Sequence, residues 1–176
     1  MNLNSNQINQ VSQTAFYGLD SMRVLYMNDN AMDSILSNNF IGPNLSFLDL
    51  KNNKITTIES NAFLGLELLE ILILNENQIS DIKLGAFNGL TKLNHLYLNL
   101  NRISKLDSNV YNDLVNLKYL MFESNRIVSF NKNALVGLND LETICLFDNP
   151  ITIFQTLISN ICNFNVKCKV YSNQKC

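Results

Sequence analysis

Leu69 to Lys92, LEILILNENQISDIKLGAFNGLTK, decides the fold of this 176-residue chain. Its first half reads L-x-x-L-x-L-x-x-N-x-I, and apolar Leu72 and Leu74 alternate with outward Ile73. That two-residue period makes a short strand with one buried face. Its second half closes on Ala86-Phe87-Asn88-Gly89-Leu90, which places an aromatic ring at a fixed distance from the strand.

Worked outward, the same unit recurs on both sides. Downstream it returns from Leu93 as LNHLYLNLNRISKLDSNVYNDLVN and from Leu117 as LKYLMFESNRIVSFNKNALVGLND; upstream it starts at Leu45 as LSFLDLKNNKITTIESNAFLGLEL. Leu45, Leu69, Leu93, Leu117 and Leu141 are spaced by a constant 24 residues. The unit from Met22 is one residue shorter, because Gly42-Pro43 replaces Gly-Leu, and residues 1–21 carry a partial unit. A fixed period of this length marks a solenoid, in which each turn buries its apolar face against its neighbours. The expected division is a single domain over 1–176, with a partial first repeat 1–21. Repeats 22–44, 45–68, 69–92, 93–116 and 117–140 follow, then a last repeat and cap over 141–176.

Two columns run through the repeats. Phe16, Phe40, Phe63, Phe87 and Tyr111 share one position, and Leu135 breaks the series. Asn6, Asn30, Asn53, Asn77, Asn101, Asn125 and Asn149 share another, where the chain bends after each strand. The bend strands backbone N–H and C=O groups without ladder partners, and a buried asparagine offers both donors and acceptors to its own and the adjacent turn. Asparagine makes up about one residue in six against an ordinary background. Glycine and proline number only six and two, so asparagine is expected to take glycine's place in turns.

This pattern resembles the leucine-rich-repeat family, in its 24-residue subtype ending in A-F-x-G-L, as at Ala62-Phe63-Leu64-Gly65-Leu66 and Ala86 to Leu90. The resemblance covers residues 1 to about 160 and is similar to Toll-like, Slit-like and variable-lymphocyte-receptor ectodomains. It implies an α/β-type solenoid: a right-handed superhelix with a concave parallel β-sheet and a mostly irregular or short-helical convex side. It further implies an extracellular or cell-surface setting and a protein or other large ligand on the concave face, with a cytoplasmic setting the alternative. The chain departs from the pattern in having no cysteine-rich segment before its first repeat, so the polar first turn is expected to serve as its own cap or to mark a truncation.

Composition narrows the partners. Thirteen basic against fifteen acidic residues give a net charge of −2, without the basic stripe of a nucleic-acid binder. The longest apolar run, Leu68 to Leu74, is interrupted by Glu70 and far shorter than the ~20 residues of a spanning helix, so no membrane insertion is expected. The polar start MNLNSNQINQ lacks the apolar centre of a leader; if the protein is secreted, its leader is already gone.

All four cysteines, Cys145, Cys162, Cys168 and Cys176, lie in the last third. Paired Cys-x-x-Cys spacing is missing, which argues against a metal site. Subtracting 24 puts Cys162 on Leu138, Cys168 on Ile144 and Val170 on Leu146, so a degenerate strand over residues 166–171 should close the core. Cys145 reads as an outward strand position. Of the three connectivities, Cys162–Cys168 with Cys145–Cys176 is preferred, and free thiols in a reducing compartment are the alternative. Asn44-Leu45-Ser46 is the one glycosylation sequon.

The outward strand positions are not dictated by the core and therefore report on function. One column runs Val24, Phe47, Ile71, His95, Tyr119 and Thr143, the next Tyr26, Asp49, Ile73, Tyr97, Met121 and Cys145, and a third Asn28, Lys51, Asn75, Asn99, Glu123 and Phe147. A solvated sheet face would carry Thr, Lys, Glu and Ser instead. Bulky β-formers also suit strands on their own account. The candidate ligand-binding residues are Tyr26, Phe47, Asp49, Ile71, Ile73, His95, Tyr97, Tyr119, Met121 and Glu123. The single histidine, His95, is read as an exposed member of a recognition face that could lend binding a mild pH dependence. No nucleophile–base–orienter set converges on it, so neither catalysis nor a cofactor is expected. The expected function is recognition of a protein or peptide, with a glycan as a further ligand class. The alternatives are a structural module stacking through its open first turn (Leu3, Ile8, Val11, Phe16) and an intracellular effector or inhibitor of the same fold.

Overall fold

The computed structural model describes residues 1–131, 133–151 and 169–171, with Phe130 and the last three residues described by their backbone alone. The described strands, in chain order, are β1 Val24–Tyr26, β2 Ser34–Ile35, β3 Phe47–Asp49, β4 Thr57–Ile58, β5 Ile71–Ile73 and β6 Asp81–Ile82. They continue as β7 His95–Tyr97, β8 Lys105–Leu106, β9 Tyr119–Met121, β10 Ser129–Phe130, β11 Thr143–Cys145 and β12 Lys169–Tyr171. The three-residue strands form one seven-stranded sheet in the order β1-β3-β5-β7-β9-β11-β12, parallel throughout. A bridge from Asn2 to Tyr26 adds the partial first turn at its edge. Each repeat thus lays one strand beside the last, as the 24-residue period requires.

The alternation read from the sequence places the side chains as expected. Leu72, Leu74, Leu96 and Leu98 are fully buried, while Ile73 and Tyr97 between them are half-exposed. Behind the sheet, Phe16, Phe40, Phe63, Phe87 and Tyr111 stack with centroid separations of 5.9, 5.9, 6.0 and 5.7 Å. Neighbouring strands of a sheet lie only ~4.8 Å apart. The ring column therefore advances farther per turn than the sheet does, and the solenoid bends with the sheet on its inner, concave side.

The convex side is built from tight turns, with no helix among the described residues. Bonds three residues apart dominate it, as in Ala62 N–H to Glu59 O and Leu66 N–H to Phe63 O. Left-handed residues such as Asn61 (φ 57°) and Gly65 (φ 93°) stop each such turn from propagating into a helix. Asn38, Asn61 and Asn109 adopt positive φ at a position where Gly85 stands in another turn, so asparagine does take glycine's place there. Two further small parallel sheets, β2-β4-β6 and β8-β10, line the flank between the main sheet and the ring column.

The asparagine ladder is the main polar element of the core. Asn77 donates to Leu50 O (3.0 Å) in the preceding turn and to Leu74 O (3.1 Å) in its own, while its Oδ1 accepts Ile55 N–H (3.1 Å). Asn30, Asn53, Asn101 and Asn125 are likewise buried and bonded on this plan. Every bond leaving its own turn runs to the preceding one, so the ladder has a direction. Asn6 is exposed and bonds Leu3 O and Asn4 O within its own turn; Asn149 is half-exposed. An asparagine that the repeat pattern did not single out, Asn39, is also buried, bonding Val11 O (2.8 Å) and Leu36 N–H (2.7 Å) where most other turns carry alanine.

One expectation at the C-terminal end requires correction. Ile144 pairs with Val170, an offset of 26 rather than 24, so Val170 does not fall on Leu146 nor Cys168 on Ile144. The connection between β11 and β12 is two residues longer than the repeat, which moves the register by the same amount. Cys145 keeps the outward register of Tyr97 and Met121, but it is fully buried, and it is disulfide-bonded. Its outward strand position is covered, unlike that of Met121 one strand earlier, which stays half-exposed. Cys162, Cys168 and Cys176 lie outside the described residues, and so does the pairing expected of them.

Candidate functional site

The period-two strands aim every second residue onto the concave face, and the parallel register sets these residues side by side. Val24, Phe47, Ile71, His95, Tyr119 and Thr143 form one row across adjacent strands; Tyr26, Asp49, Ile73, Tyr97, Met121 and Cys145 form the next. Apart from buried Cys145 and exposed Tyr26, all are half-buried: neighbours across 4.8 Å shield their flanks while their outer surfaces meet solvent. Asn28, Lys51, Asn75, Asn99, Glu123 and Phe147 continue the face where the chain turns away from the sheet.

Within these rows the aromatic groups gather in two places. At the N-terminal end Tyr26 and Phe47 approach to 5.3 Å between centroids. In the middle, His95 stacks on Tyr119 at 4.6 Å with planes 19° apart, and Tyr97 lies 6.2 Å from the same imidazole. Tyr97 and Tyr119 are diagonal neighbours, as expected, but His95 is the element that joins them. It is half-exposed rather than fully exposed. Its Nδ1 is buried without a hydrogen-bond partner among the described residues, and burial, followed by repulsion from Lys118, holds its pKa below the usual histidine value. Protonating it would put an N–H where no acceptor waits. Burial therefore favours the neutral form of the imidazole.

Charges around this patch are mostly matched. Tyr119 Oη donates to Glu142 (3.3 Å), which also faces Lys118 at 3.8 Å. Lys51 pairs with Glu76 at 3.0 Å, and that bond raises the lysine pKa. Burial pushes the Asp49 carboxyl up, against the lowering effect of the Lys51 N–H it accepts at 2.9 Å. Asp29 is held down by the side-chain amides of Asn52 and Asn28, both at 2.6 Å. Ile71, Ile73 and Met121 fill the space between the aromatic groups and carry no charge. Glu123, at the edge of the face, has no ion pair among the described residues.

Among the described residues no group of three or more His, Cys, Asp and Glu side chains could hold a metal ion, and no helix is long and apolar enough to cross a membrane. The arrangement offers flat apolar surfaces, hydroxyls and a few carboxylates, the chemistry of a contact surface. The stacking of His95 on Tyr119 went unforeseen, although His95 and Tyr119 sharing a repeat position in consecutive turns was a signal that could have found it.

The leucine-rich-repeat family pattern matches residues 1–55, 43–103 and 92–151. No curated protein matches the chain. Among solved structures, the Toll–Spatzle complex of Drosophila superposes with a TM-score of 0.86 at 18% identity, over 98% of this chain and 24% of that one. The TLR13–ssRNA13 complex superposes with a TM-score of 0.83 at 23% identity, over 99% and 25%. A leucine-rich-repeat protein of Leptospira interrogans gives 0.75 at 22% identity, over 97% and 42%. The chain thus spans 24% to 42% of the lengths of these proteins, and at such identities the likeness establishes the fold.

Proposed function

The chain belongs to the leucine-rich-repeat family, and on that premise we propose that it is a non-catalytic recognition module whose concave sheet binds a protein ligand. The observation that carries this reading is the half-exposed patch of Ile71, Ile73, His95, Tyr97, Tyr119 and Met121, continuous across three adjacent strands. Contiguous apolar area of this kind, rimmed by polar groups, is rare on a surface that only meets water, and tyrosine is a favoured anchor because it brings area and a hydroxyl at low entropic cost. The extracellular or cell-surface setting and the disulfide-closed cap belong to the same reading. Toll in its complex with Spatzle supports a protein ligand by analogy of fold.

TLR13 is seen with a single-stranded RNA, but the patch here favours protein. Its nearby cations, Lys51 and Lys118, face Glu76 and Glu142, so little positive charge is left for phosphates. The test is a binding screen of the purified, oxidised chain against extracellular proteins and glycans, with single-stranded RNA as a parallel arm. With a protein partner in hand, Tyr97→Ala and Tyr119→Ala should each weaken binding by on the order of 2 kcal/mol with the fold intact. The convex-side control Lys83→Ala should bind normally. Full affinity in the double tyrosine variant removes the site from the concave face, and RNA binding without protein binding overturns the ligand class.

A further inference from the structure

Between residues 22 and 140 the flank of the solenoid, unlike the front sheet, is interrupted once. Strands β2-β4-β6 and β8-β10 form separate sheets, with no pairing between Asp81–Ile82 and Lys105–Leu106. At the other interfaces within residues 22–140 the equivalent positions are laced by backbone bonds. Thr56 and Glu59 donate to Asp33 O and Ile35 O, Ser80 and Lys83 to Thr56 O and Ile58 O, and Val128 and Asn131 to Ser104 O and Leu106 O, all within 2.8–3.0 Å. The matching donors between the fourth and fifth turns (69–92 and 93–116) are Ser104 and Asp107. Neither N–H meets a backbone acceptor of the fourth turn.

A repeat-level substitution coincides with the gap. Ser37 Oγ donates to Ser60 O at 2.6 Å, and Ser60 Oγ to Leu84 O at 2.7 Å. Leu84 occupies the next serine slot and has no hydroxyl to pass on to Ser108. One residue along, Asn38 N–H bonds Asn61 O and Asn61 N–H bonds Gly85 O, but Gly85 N–H does not continue to Asn109. The side chains register the same break. Leu84 is 64% exposed, and Ile82 is half-exposed where Ile35 and Ile58 are fully buried. Phe87 and Tyr111 stack with a 22° tilt, against 1° for Phe63 and Phe87. A small cavity lies in the seam, lined by Ser80, Ile82, Lys105, Asp107 and Tyr111.

The two turns remain joined elsewhere. The front sheet pairs Ile71–Ile73 with His95–Tyr97, and Asn101 bonds Leu74 O and Ile79 N–H. On the return side Asp113 accepts Gly89 N–H, and Asn116 donates to Thr91 O. We propose that this seam is a joint: the fourth and fifth turns swing apart at the flank, with the continuous front sheet as the hinge strap. In a solenoid the inter-turn interfaces contribute separately, so an interface that lacks these flank bonds opens before the neighbours that have them. Because the strap is the concave sheet, opening the flank sharpens the concavity between Ile71 and Ile73 on one side and His95 and Tyr97 on the other. The joint thereby adjusts the surface to a ligand that spans it. That last consequence rests on the concave-face reading; the joint itself does not.

Amide hydrogen exchange on the ligand-free chain tests it. The Ser104 and Asp107 amides should exchange roughly tenfold or more faster than those of Thr56, Glu59, Val128 and Asn131. Leu84→Ser, which restores the hydroxyl, should slow them severalfold. Ser60→Leu, which copies the break one turn back, should speed Ser80 and Lys83; if that variant fails to fold, Leu84→Ser decides alone. Equal protection at all six positions overturns the joint, as does indifference of Ser104 and Asp107 to Leu84→Ser. The exchange contrast should persist in the Tyr97→Ala, Tyr119→Ala variant, which separates a failure of the joint from a failure of the binding site.

Discussion

Asn101 and Asn99 stand two residues apart and do opposite work. The Asn101 side chain satisfies Leu74 O, Leu98 O and Ile79 N–H inside the core, whereas Asn99 faces outward and is half-exposed. Removing the first leaves buried backbone groups unpaired, so Asn101→Ala should destabilise by roughly 1–3 kcal/mol while Asn99→Ala costs less than about 0.5. Chemical denaturation of both decides it, and equal midpoints would contradict the ladder. Between them Leu100 has φ 57°, and Ser5, Asp29, Asn52, Glu76, Ser124 and Asp148 share that left-handed geometry ahead of every column asparagine. The bend is thus imposed by the ladder even on residues that disfavour it. His95 supplies the pH dependence. Its folded pKa is depressed, so the unfolded chain binds more protons; its contribution to stability is present above the ordinary value of 6.5 and is lost as pH falls below it. Thermal unfolding at pH 7 and pH 5 should therefore differ more in the native protein than in His95→Phe. Identical pH responses would mean that the ring is not held as described. It is the chain's only histidine, so its imidazole resonance reports the titration directly.

Among the elements, the ring column is where neighbouring turns depend most on one another. Phe87 is fully buried between Phe63 and Tyr111, while Phe16 sits at the end of the column with Phe40 as its one stacked neighbour. Phe87→Ala should cost about 3–5 kcal/mol, and Phe16→Ala clearly less because the first turn has one side on which to leave a cavity. Urea midpoints of the two variants measure the difference; equal losses would argue that the column does not act through stacked neighbours. Tyr111 carries the column past its last phenylalanine at the expense of a buried phenol, whose pKa burial pushes far above the ordinary value. It then meets Phe122 edge-on at 6.0 Å, so the column ends by turning toward the sheet.

At the scale of the whole molecule, the sheet runs from the Asn2–Tyr26 bridge to the pairing of β11 with β12, and beside that pairing lies a buried, disulfide-bonded Cys145. Under native, non-reducing conditions Cys145 should resist alkylation, and peptide mapping should link it to Cys176 and Cys162 to Cys168. Four freely alkylated cysteines would overturn the cap and, with it, the proposed oxidising setting. By loop entropy, reducing the bonds should cost a few kcal/mol, on the order of 2 to 4 for each.

The period, the inward and outward parity of each strand, the ring column and the asparagine ladder were all legible in the residues. Each is a local regularity repeated at fixed spacing, and a solenoid turns sequence spacing directly into spatial neighbours. The register of β12 and the burial of Cys145 escaped that logic because the connection to β12 departs from the repeat and the neighbours of Cys145 differ from those of Met121. What His95 does was equally a matter of tertiary structure. A position on the face is set by parity, but its burial, its stacking on Tyr119 and its unpaired Nδ1 follow from which side chains the adjacent turns place against it. The seam between the fourth and fifth turns is of the same kind: Leu84 is visible in the sequence, yet the missing bonds belong to the contact between two turns, and only packing them together reveals which donors find acceptors.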